Sequence, residues 1–180
     1  MRSFHMVTYI LAILLLFACM CGCSFKETDV CVKFRTHNVE SAQKVIPFTI
    51  ILPNYLPSNL RQYPLITGPL RGACPENQVE VYIEFRSDRI QDGLIEIYEC
   101  NYPFELLDPA LNPDIKNVEI GGVEVRERET NQGFFGSEGT FSIAGYAYGW
   151  NQRCIYFIVE INGYDHDEAI KVVESMIEQM

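Results

Sequence analysis

Glu84 and Glu96 are the two residues most readily given a reaction. Val79–Phe85 and Leu94–Cys100 both alternate apolar and polar types, the signature of half-buried strands. Pairing them about Ile90 places Glu84 opposite Glu96 on the outward face. Two close carboxyls can split their pKa values and work as acid and base. Like charges directly opposite also weaken a sheet, and a solvated pair does no chemistry, so no catalytic residue is assigned. Asp165-His166-Asp167 has the types for a metal or relay cluster, but helix capping accounts for the acids and leaves His166 exposed. Tyrosines and Trp150 could form a recognition face, although their alternation fits core packing. The chain has no G-x-S-x-G elbow, P-loop or H-E-x-x-H.

Cysteines are the other reactive group. Cys31, Cys74, Cys100 and Cys154 could form two disulfides, in three connectivities. A zinc site is not expected: no C-x-x-C follows residue 23, and the three histidines are scattered. No metal or cofactor is therefore predicted. A formal net charge of −10 gives no reason to expect nucleic acid as a partner.

The N-terminus reads as an export signal covering residues 1–22. Arg2 precedes an apolar run, Val7–Phe17, and small and sulfur residues follow. Met20-Cys21-Gly22-Cys23 resembles a bacterial lipobox, with Cys23 as the lipidated residue. Leu16-Phe17-Ala18-Cys19 is the alternative, with Cys19 taking the lipid. An uncleaved, single transmembrane helix is the third option, since no charge lies between Arg2 and Lys26. Each option puts the domain outside the cytoplasm, attached to the membrane.

Residues 23–39 read as a tether, or a poorly paired first strand, and 40–180 as a single domain. Glu40–Val45 suits a helical turn, and Phe48–Leu52 a short strand bracketed by prolines. Val118–Val125 is a hairpin about Gly121-Gly122, where tight turns need positive φ. Arg126–Glu129 continues as a charged strand, solvated or at an edge, and Asn131–Gly139 reads as a glycine-rich loop. Phe141–Trp150 and Arg153–Asn162 form a hairpin turning at Asn151-Gln152, with Tyr148 opposite Ile155. Asp165 and Glu168 fit a capping box, followed by the apolar stripe Ala169, Val172, Val173, Met176 and Met180, widened by Ile170 and Ile177. Strands followed by one helix predict an α+β fold: a mainly antiparallel sheet with the C-terminal helix packed on one face.

These motifs resemble a known family. Pro47-Phe48, Leu52–Pro57, the strands Val79–Cys100, the hairpin Val118–Val123, Trp150–Tyr156 and the helix Glu168–Ile177 are similar to domain of unknown function family 4367. The layout is also similar to the C-terminal domain of the periplasmic regulators RseB and MucB. The resemblance covers roughly residues 40–180. It implies an extracytoplasmic sheet-and-helix domain and no catalytic residues. The expected function is a lipid-anchored, non-enzymatic binding or regulatory module for an envelope protein, peptide or other envelope component. The alternative is an envelope hydrolase using Glu84 and Glu96.

Overall fold

A computed structural model describes residues 33–68, 78–103, 107–136 and 139–180. Eight strands form one antiparallel sheet: β1 (Phe34–Thr36), β2 (Leu65–Gly68), β3 (Glu80–Arg86), β4 (Leu94–Cys100), β5 (Lys116–Ile120), β6 (Val123–Gly136), β7 (Gly139–Gln152) and β8 (Ile155–Asn162). Their spatial order is β1-β2-β3-β4-β8-β7-β6-β5. Two four-stranded meanders thus meet at β4 and β8, joined by a crossing loop between β4 and β5. Two helices, α1 (Val39–Gln43) and α2 (His166–Ile177), complete the fold. It is α+β, as predicted.

The pleat separates two faces. One row runs Ile66, Ile83, Ile97, Val159, Tyr148, Glu127 across six adjacent strands. This first face is the core, and α2 covers it with Ala169, Val172, Val173 and Met176, all fully buried. Burying a large apolar side chain contributes about 1.5–3 kcal/mol, so the stripe holds helix and sheet together. Asp165 caps α2 by accepting from the Glu168 amide at 2.9 Å. The expected return bond from Glu168 is not made: its carboxylate takes the Tyr55 hydroxyl at 2.5 Å and Lys171 Nζ at 2.7 Å.

Several sequence expectations need correction. Of the two options for residues 23–39, Phe34–Thr36 takes the second: it is a first strand, at the sheet edge and paired with β2. Phe48–Leu52 is not a strand. It is an irregular strap whose backbone bonds to side chains: the Gln43 amide and the Glu99 carboxyl hold Ile50 and Ile51. For Arg126–Glu129 the edge option fails, because β6 lies between β5 and β7, while Arg126 and Glu129 are solvated as the other option has it. Asn131–Gly136 is strand rather than loop, paired through Phe134↔Phe141 with the rings stacked at 5.5 Å. The last hairpin turns at Arg153-Cys154, with φ of 51° and 63°. That shift moves Tyr148 opposite Val159 and Trp150 opposite Phe157. An even shift preserves the faces, so the expected division of side chains survives the changed register. At Gly121-Gly122 the φ values are 57° and 77°, and the expected tight turn is present.

Candidate functional site

The second face of the sheet gathers the ionisable groups. Glu84 is opposite Glu96 in the register expected from sequence, and Glu160 is opposite Glu96 on the other side. Three carboxyls therefore stand in one row across β3, β4 and β8. Glu96 is buried, while Glu84 and Glu160 are half-buried. The Tyr82 hydroxyl lies 2.8 Å from Glu96 Oε1 and 3.0 Å from Glu84 Oε2. A phenol has one proton, so Tyr82 can donate to either carboxylate but not fully to both at once. Gln132 Nε2 donates to Glu96 Oε2 at 3.1 Å, and Asn162 Nδ2 donates to Gln132 Oε1 at 2.7 Å. Arg86 Nε is 3.6 Å from Glu84.

Electrostatics follow from this crowding. Burial, then the charge of Glu96, pushes the Glu160 carboxyl above its ordinary value, and Arg128 partly offsets them. Burial and the neighbouring carboxyls raise Tyr82 and Tyr98 well above the usual phenol range. The oxygens of Glu84 and Glu96 are engaged with Tyr82, Arg86 and Gln132.

Glu160 and Tyr82 were missed from sequence as members of this group. Strand parity carried the signal, since Glu160 alternates with Ile158 and Tyr156 on the second face. Glu99 was also missed. It points into the core, fully buried, and accepts the Ile51 amide at 3.0 and 3.3 Å. Burial raises it well above the ordinary carboxylate value.

His166 is not simply exposed. Its Nε2 lies 2.8 Å from Glu127 Oε2, and its ring meets Tyr146 edge-on at 5.0 Å. Asp165 is a cap, as expected. Among the described residues no cluster of three His, Cys, Asp or Glu could hold a metal. Cys100 is buried in β4, its Sγ donating to the Tyr102 carbonyl at 3.2 Å. Cys154 lies in the β7–β8 turn. Cys19, Cys23, Cys31 and Cys74 lie outside the described residues, as does the apolar N-terminal run. Among the described residues no helix is long and apolar enough to cross a membrane.

A cleft of about 550 Å³ opens elsewhere on the second face. Its walls include Val123, Glu124 and Arg126 on one side and Gly149, Trp150 and Asn151 on the other, with Leu107 of the crossing loop above. Leu107 packs so closely on Gly149 that a β carbon there would collide with it. Arg126 Nη1 donates to the Leu107 carbonyl at 3.0 Å and holds the loop down. Trp150 stacks on Phe157 at 5.0 Å and is 5% exposed, yet its indole Nε1 has no hydrogen-bond partner among the described residues. Leaving such a donor unsatisfied costs about 1–3 kcal/mol. Two further cavities, about 440 and 190 Å³, lie beside Arg128 and under the Phe48–Ile51 strap. Glu84, Glu96 and Glu160 line none of the three.

No protein-family model matches the chain. No curated protein matches it either. Among solved structures, a Bacteroides thetaiotaomicron VPI-5482 protein is similar at 14% identity with a TM-score of 0.39. The match covers 61% of this chain and 43% of that one, so the chain spans less than half the length of that neighbour.

Proposed function

We propose that this chain is a non-enzymatic binding module, held at the outer face of a membrane, that recognises an envelope protein or peptide. The observation that most supports it is the separation of the cleft from the carboxylate row. The cleft offers recognition chemistry: an indole, a tyrosine, an amide, one acid and one base. The row has no cavity of its own among those described, and Tyr82 and Gln132 occupy its oxygens. Lipidation at Cys23, with Cys19 as the alternative, supplies the anchor in this reading. A disulfide between Cys154 and Cys31 or Cys74 is part of the proposal, a cross-link suited to an oxidising compartment. The resemblance to domain of unknown function family 4367 rests on the motifs quoted above.

The test is a turnover screen of the full chain against peptidoglycan fragments, peptide bonds and glycosides, with none expected. Steady turnover that disappears in Glu84→Gln or Glu96→Gln overturns the reading. It would favour the second one, an envelope hydrolase, for which the opposed Glu84 and Glu96 are the specific support.

A further inference from the structure

Strands β6 and β7 part company before either of them ends. Their ladder stops at Arg126↔Gly149. Beyond that point Val123, Glu124 and Val125 remain paired only with β5, opposite Ile120, Glu119 and Val118. Trp150, Asn151 and Gln152 remain paired only with β8, opposite Phe157, Tyr156 and Ile155. Two strand edges therefore face each other inside the sheet, and Val123 and Glu124 of one and Trp150 and Asn151 of the other line the cleft of about 550 Å³.

The geometry points to a strand-insertion slot: an extended segment of a partner protein enters between Val123–Val125 and Trp150–Gln152 and completes the sheet. The inference rests on the binding reading above and names the ligand class for that cleft. Strand addition uses main-chain hydrogen bonds, and here both sides of the guest would be used. Three residues on each edge at about 3.3 Å rise make a slot about 10 Å long, enough for three or four guest residues. The lips carry one acid, Glu124, and one base, Arg126, so a neutral backbone is better matched than an ionic ligand. Alternate guest side chains would meet Leu107 on the open side and the Trp150–Phe157 stack beneath. The same two charges would discourage casual edge-to-edge aggregation.

Trp150 is the sole tryptophan in the chain, so its emission reports on the slot directly. The full chain in detergent micelles would be titrated with an acetylated, amidated hexapeptide of alternating valine and threonine. Versions N-methylated on the main chain at odd or at even positions test the two edges separately. Insertion between two strands requires both sets of amides, so each methylated form should bind at least tenfold more weakly. Hydrogen exchange should show protection at both 123–126 and 149–152. Loss with only one methylation pattern, or protection confined to β1 or β5, means addition at an outer edge and overturns the slot. No binding at millimolar peptide, or binding indifferent to both methylations, also overturns it. Those failures would leave the broader binding reading to its own turnover screen.

Discussion

Glu96 has a carboxyl on either side of it: Glu84 across one ladder and Glu160 across the other. Burial, then the charge of Glu96, raises the Glu160 carboxyl above its ordinary value. A raised acid binds more protons in the folded state, so its contribution to stability is full below the ordinary value of 4.5 and is lost as pH rises through the folded value. Glu160→Gln should therefore raise neutral-pH stability by on the order of 0.5–1 kcal/mol. The gain should vanish below pH 4, and thermal melts of both proteins across that range check it.

Glu99 is the stronger case, fully buried with the Ile51 amide on its oxygens. Its folded value also lies above the ordinary one, so wild type should lose stability relative to Glu99→Gln as pH rises above about 4.5. The glutamine can still accept from Ile51. Glu99→Leu strands that amide and should cost about 1–3 kcal/mol. Urea unfolding at pH 5 and pH 9 separates the two effects. A Glu99→Gln protein with the wild-type pH profile would contradict the assignment.

Val173 is fully buried on the sheet-facing stripe of α2. Val173→Asp puts a charge there with no partner, a penalty of several kcal/mol, and should abolish the cooperative melt. Glu174→Ala, on the exposed side of the same helix, should change stability by less than about 0.5 kcal/mol. Circular dichroism melts of the two variants make the comparison.

Arg153 holds a φ of 51° that suits asparagine or glycine better than arginine. A left-handed non-glycine residue costs about 1–2 kcal/mol. Arg153→Asn should recover part of that, up to about 1 kcal/mol, measured as a rise in denaturant midpoint without a change in slope.

The same turn shows where the sequence was legible and where it was not. Period-two patterning identified which side chains of β7 and β8 share a face, because a pleat leaves only two choices. It did not locate the turn: Asn151-Gln152 has the better local chemistry, but Arg153-Cys154 makes the bend. The Glu84–Glu96 pairing was legible because the two β3–β4 strands are joined by a short connection. The third carboxyl was not, since β8 reaches β4 from some sixty residues away. The strap at Phe48–Leu52 was misread because its apolar residues do face the core, while its amides are satisfied by Gln43 and Glu99 instead of by a neighbouring strand. Nothing in local pattern marks the parting of β6 from β7. It depends on where two ladders stop, which is a property of the assembled sheet.

The order β1-β2-β3-β4-β8-β7-β6-β5 also has a kinetic meaning. Every strand pairing but one joins consecutive strands, and such local contacts close quickly. The exception is β4 with β8, where Ile97 meets Val159 and Ile95 meets Ile161. Folding is thus divided into two meanders that can form separately and one encounter that must bring them together. Truncating Ile97 or Val159 should slow refolding, whereas truncating Val118 in the β5–β6 hairpin should mainly speed unfolding. In this chain the rate of becoming native is expected to depend on a single seam.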